Sequence, residues 1–134
     1  MQTRCEKCQS FTKALEGRVK PKFGDKLAVL SVVVPPDSLD DVKKYINVFK
    51  VTNPILFDSG QMASSYVKAT PDRPAMYFPH IFLIDQQGMI RNDWQFTSAG
   101  LYPDVISGDR LLTEIEKLLN EAAPKPAAPA AKKK

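Results

Sequence analysis

At 134 residues, with 43% hydrophobic and 25% charged residues, the chain has the size and composition of one globular domain. Its longest apolar stretch, Leu27 to Val34, is broken by Ser31 and falls far short of the roughly 20 residues that span a bilayer, and Met1-Gln2-Thr3-Arg4 runs into Cys5 with no signal-peptide pattern. The net charge of +4 belongs to residues 122–134, which hold four lysines and no acid, so 15 basic residues face 15 acidic ones over 1–121 and no basic nucleic-acid-binding face is implied.

Residues 1–121 therefore form the expected domain. The segment 122–134, made only of Ala, Pro and Lys, has no large apolar group to bury and is expected to be a disordered tail.

In chain order, Cys8, Phe11, Leu15 and Val19 recur at spacings of three and four, one face of a helix that Pro21 should stop or kink. The run Lys26 to Val34, closed by Pro35-Pro36, reads as a strand buried on both faces. Ser38 and Asp41 make a capping box, and Leu39, Val42, Tyr45, Ile46 and Phe49 line the helix that follows. Pro54 to Phe57 reads as a short strand, 61–69 as a helix, and the proline-rich 71–79 as loop. Ile81–Ile84 and Met89–Phe96 flank a turn at Gln86-Gln87-Gly88 and predict a hairpin. Leu111, Leu112, Ile115, Leu118 and Leu119 mark a terminal helix. This order of elements predicts an α/β domain.

The chemistry concentrates in Cys5-Glu6-Lys7-Cys8, the only two cysteines, three apart at a helix start. Unpaired N–H groups and the macrodipole at that end favour a thiolate, with Arg4 and Lys7 expected to help and Glu6 to oppose. Cys5 is then the exposed nucleophile and Cys8, one turn inside, the resolving thiol. Half a zinc site is the competing interpretation, but there is no second such pair and His80 is the only histidine, so one chain cannot complete a conventional structural site. A purely structural disulfide closing so short a loop would stabilise little. His80 is expected to be a satisfied strand residue, and Trp94 a packing residue.

The Cys-x-x-Cys at a helix start, the strand after it, the inserted PILFDSG segment and FPHIFLIDQQG together resemble the thioredoxin superfamily over residues 5 to about 119. Within it they are most similar to the TlpA/ResA-like thiol–disulfide oxidoreductases, relatives of the redoxin and AhpC/TSA families. The resemblance implies a mixed sheet flanked by helices, Cys5 and Cys8 as catalytic thiols, a cis Phe78–Pro79 bond facing them, and Phe78 as the residue whose backbone pairs with substrate. It implies no metal or organic cofactor, protein thiols and disulfides as substrates, and a place outside the bacterial cytoplasm. The chain departs from the pattern at Arg4, where the family commonly has an aromatic residue, and in the strand that should precede the CxxC. The four residues before Cys5 are too few for that strand, which implies a fragment, or a partner that supplies it, with dimerisation through the unpaired strand edges as one outcome. Three other functions stand beside the oxidoreductase. A peroxiredoxin would want T-x-x-C where Thr3-Arg4-Cys5 gives T-x-C. A Cu(I) carrier using Cys5, Cys8 and His80 usually spaces its cysteines one residue wider. The third is an inactive truncated domain.

Overall fold

The computed structural model describes residues 1–68, 72, 77–95 and 102–121. Helix α1 (Glu6–Ala14) starts at Cys5, whose sulfur accepts the Cys8 backbone N–H as a side-chain cap. The helix neither stops nor breaks at Pro21. It widens into a π-helical turn over Leu15–Val19 and continues as α2 (Lys20–Phe23). The Lys20 N–H reaches back five residues to the Leu15 carbonyl. A proline ring collides with the carbonyl four residues before it, and a turn widened just ahead of Pro21 makes room for that carbonyl. Cys8, Thr12, Leu15, Val19 and Phe23 all stay buried along one face.

The first strand is shorter than its sequence predicts. Only Ser31–Val33 pairs as β1, and Leu30 is 67% exposed. The run Leu27–Leu30 is extended and unpaired among the described residues: Leu27 and Val29 pack against the core while Ala28 and Leu30 face outward. Pairing needs a strand alongside, and among the described residues β1 has β2 (Ile55–Phe57), parallel to it with Ser31 opposite Ile55. On the other edge of β1, the Met1 nitrogen donates to the Val32 carbonyl at 2.6 Å and the Val34 N–H donates to the Met1 carbonyl at 3.2 Å. This one-residue parallel bridge sets the start of the chain beside β1.

Between these strands runs α3 (Leu39–Phe49), capped as the sequence predicts: the Ser38 Oγ accepts the Asp41 N–H while the Asp41 carboxylate accepts the Ser38 N–H. Val42 and Tyr45 are its buried positions, whereas Leu39, expected on the apolar stripe, is 57% exposed in the first turn. The helix predicted over 61–69 is present as α4 (Gln61–Ser65). The predicted loop 71–79 is described only at Asp72 and from Tyr77 onward, and those positions carry no helix or strand.

The hairpin forms from β3 (His80–Ile84) and β4 (Ile90–Gln95), with Ile81 opposite Trp94 and an irregularity after Leu83. Asp85 organises its turn by accepting the N–H groups of Gln87 and Met89 on one carboxylate oxygen. A short helix α5 (Pro103–Ile106), absent from the sequence reading, precedes α6 (Asp109–Asn120). On α6, Leu111 and Ile115 are buried and Leu112 and Leu118 pack against the core, whereas Leu119, expected on the apolar stripe, is 37% exposed.

The class is therefore α/β. Its strands form two separate pairs, one parallel (β1–β2) and one antiparallel (β3–β4), rather than one mixed sheet among the described residues. One core cluster joins Leu15, Val19 and Phe23 to Leu83 and Trp94 of the hairpin and to Val105, Leu111 and Ile115. Trp94 is a packing residue there, as its place in the sequence predicts. Phe96 and the segment 122–134, with its expected disorder, lie outside the described residues.

Candidate active site

Helix α1 presents its two thiols differently. Cys5, half-buried, stands just ahead of the first turn; Cys8, one turn on, is 1% exposed. Both are free thiols. The Cys8 N–H donates to the Cys5 sulfur at 3.1 Å, and the Cys5 thiol points to the Phe78 carbonyl at 3.7 Å. Phe78 is half-buried and Pro79 buried, and the bond between them is cis. The Cys5 sulfur thus lies between the Cys8 N–H and the Phe78 carbonyl, where the start of α1 meets the lead-in to β3.

Burial pushes the Cys8 thiol up to about 12, and its hydrogen bond to Cys5 adds to the shift, while the Gln2 backbone amide pulls the other way. Cys8 is held as a neutral thiol behind Cys5. Tyr45, reaching in from α3, donates to the Cys8 carbonyl at 3.3 Å and shares a 2.7 Å hydrogen bond with the Thr12 hydroxyl. Burial raises this phenol to about 12 as well, with Thr12 opposing the shift. Two helices are therefore joined behind Cys8 by buried hydroxyls that satisfy each other.

The stretch ahead of Cys5 is bound to the loop after β1. Thr3 is 7% exposed, and all its polar groups have partners: its N–H donates to Asp37 Oδ2 at 2.6 Å, its hydroxyl to Asp37 Oδ1 at 2.9 Å, and its carbonyl accepts the Gln9 amide at 2.8 Å. Sequence reasoning missed Asp37, Thr3, Thr12 and Tyr45. Asp37 follows Pro35-Pro36 with no motif that singles it out, and Tyr45 reads only as an apolar stripe position. Their partners lie more than 30 residues away in sequence.

The two basic residues expected to help Cys5 are placed differently. Arg4 is almost fully exposed and its guanidinium lies 3.8 Å from Asp41 at the start of α3. Lys7 lines a surface groove of about 330 Å³ with Ser10 and Ala14 of α1 and Pro103, Ile106 and Ser107. His80, weighed as a third copper ligand, has its Nε2 2.5 Å from Asp93 and its ring stacked on Phe82. Its Nδ1 is buried and has no hydrogen-bond partner among the described residues. Among the described residues no group of three or more His, Cys, Asp or Glu side chains is arranged to hold a metal.

No family model and no curated protein matches the chain. Among the described residues no helix is long and apolar enough to cross a membrane.

Proposed function

We propose that the protein is a thiol–disulfide oxidoreductase of the TlpA/ResA-like kind within the thioredoxin superfamily, working through Cys5 and Cys8. The observation that carries the reading is the unequal pair: an accessible Cys5 capping α1 and facing the Phe78 carbonyl, with a buried, neutral Cys8 one turn behind it. An exposed attacking thiol and a shielded resolving thiol are the two parts that dithiol exchange needs.

In the reducing direction, the Cys5 thiolate attacks one sulfur of a substrate disulfide. A Cys5–substrate S–S bond forms, the substrate S–S bond breaks, and one substrate sulfur leaves as a thiolate. Cys8 then attacks Cys5, its proton passing to the leaving sulfur, and the second substrate sulfur departs. The substrate gains two electrons and two protons, and Cys5–Cys8 is left as a disulfide, which a thiol reductant returns to the dithiol. Phe78 would offer its backbone to an extended substrate, and the bound Cys5–Phe78 contact marks where that chain would dock. The substrates would be cysteines of other proteins, and the resemblance supports a location outside the bacterial cytoplasm.

The test is a redox titration of the purified protein in thiol/disulfide buffers, paired with turnover of a disulfide-bonded peptide under dithiothreitol. A two-electron transition and turnover lost in Cys5→Ser support the reading. Failure of the wild-type protein to exchange with the peptide, or stoichiometric Cu(I) bound to the cysteines, would overturn it.

A further inference from the structure

The contacts of Asp37 are unusually specific for a residue in a connecting loop. Its two carboxylate oxygens are divided between the N–H and the hydroxyl of a single residue, Thr3, two positions ahead of Cys5. Hydrogen bonds to a carboxylate are stronger than neutral ones, and two from one residue fix orientation as well as distance. Thr3 is tied from the other side by Gln9 of α1, and Cys5 itself donates its N–H to the Gln2 carbonyl at 3.3 Å. Asp37 in turn starts from the end of β1, its N–H 3.4 Å from the Val34 carbonyl, and is followed directly by Ser38, the cap of α3. The backbone ahead of Cys5 is therefore anchored to the β1–α3 connection.

Cys5 needs such an anchor. It stands at the cap position just ahead of its helix, where backbone hydrogen bonds run out and helices fray. A nucleophile attacking along the axis of a disulfide must be held within about 0.5 Å of the productive geometry. A carboxylate in this place does not favour a thiolate nearby, since like charges repel. What it supplies is geometry.

We propose that Asp37 is a positioning residue for Cys5: through its paired hydrogen bonds to Thr3 it fixes the thiol at the start of α1 and sets its reactivity relative to Cys8. This deepens the reading above and rests on Cys5 being the nucleophile. Asp37→Asn can keep both contacts, its oxygen accepting the Thr3 N–H and its amide donating to the Thr3 hydroxyl, while removing the charge. Asp37→Ala removes both, and Thr3→Val removes the hydroxyl arm alone.

The experiment measures iodoacetamide alkylation rates of Cys5 and Cys8 against pH by peptide mapping, and the midpoint potential of the pair, in wild-type protein and the three variants. Asp37→Ala should lower the Cys5-to-Cys8 rate ratio about tenfold and move the potential, Thr3→Val should lower the ratio less, and Asp37→Asn should restore wild-type behaviour. If Asp37→Ala folds and keeps the wild-type ratio and pH profile, the inference is wrong. If Asp37→Asn fails as Asp37→Ala does, the carboxylate acts by its charge and the inference is again wrong. Should Asp37→Ala not fold, Thr3→Val decides, an unchanged ratio overturning the inference. Peptide turnover is scored separately. Its absence in wild-type protein removes the oxidoreductase reading, while the labelling ratio still decides whether Asp37 positions Cys5.

Discussion

The Cys5 thiol and the Phe78 carbonyl, 73 residues apart in sequence, meet at 3.7 Å. The contact joins the start of α1 to the residue preceding Pro79, and the half-buried Cys5 thiol keeps some access to solvent. Cys8 has almost none, being 1% exposed and held neutral by burial. Reduced protein treated with iodoacetamide near pH 7 should therefore label at Cys5 at least tenfold faster than at Cys8. Peptide mapping after partial alkylation reads the ratio directly, and preferential labelling of Cys8 would reverse the two roles.

Alkaline pH should weaken the fold through two groups on this site. Cys8 is raised from 9.0 and Tyr45 from 10.0, each to about 12, in both cases chiefly because burial disfavours the charged form. Between the unfolded and folded values the unfolded chain releases protons that the folded chain keeps, so their contribution is full below about pH 9 and is lost as pH rises toward 12. Urea unfolding at pH 8 and pH 10.5 should show a smaller loss of stability for Cys8→Ala and for Tyr45→Phe than for the wild-type protein. Equal losses in all three would show that neither group is shielded in solution.

A third expectation concerns the turn between α5 and α6. Gly108 has φ +86°, and a Cβ there would come 3.1 Å from the Val19 Cγ2 at the centre of the core. Gly108→Ala therefore meets both backbone strain and overpacking, at about 2 kcal/mol or more. Gly88, at φ +82° in the hairpin turn, has open space around the same position, so Gly88→Ala should cost only the backbone part, about 1–2 kcal/mol. Denaturant unfolding of the two variants separates these contributions. Equal losses would mean that Val19 yields without penalty.

How far the sequence foretold the structure depends on the range over which each signal acts. The capping box at Ser38 and Asp41 and the turn at Gln86-Gln87-Gly88 are local, and each appears where its residues place it. The pairing of Cys5 with Cys8 on one helix turn is legible for the same reason. The run from Leu27 to Val34 shows the limit: its composition reports what it can bury, but pairing depends on which strands stand beside it, and only Ser31–Val33 finds one. Pro21 is another case, because a proline forbids a regular helix without saying whether the chain will stop, bend or widen. Asp37 and Tyr45 act through partners brought near by the fold, so no spacing along the chain announces them.

The unpaired extension of β1 also has a measurable signature. The Val33 amide lies within the pairing with β2, whereas Ala28, Val29 and Leu30 extend beyond it. Native-state hydrogen exchange should give those three amides at least tenfold less protection than Val33. Comparable protection along the whole run would mean that a further strand covers this edge in solution.

The wide turn at Leu15–Val19 bears on how this chain can be aligned with others. It stores one residue more than a regular helix would use, so a protein of the same design could lack that residue and still run unbroken from its cysteines to its Phe23 position. Deleting it here would close the wide turn to a regular one and leave the cysteine end facing as it does now relative to the Phe23 end. Cys8 and Thr12 would then stay on the buried side that they share with Phe23. A length difference in this region belongs inside the helix, at residues 15–19, and an alignment that moved the gap to a neighbouring loop would match the wrong residues to the core.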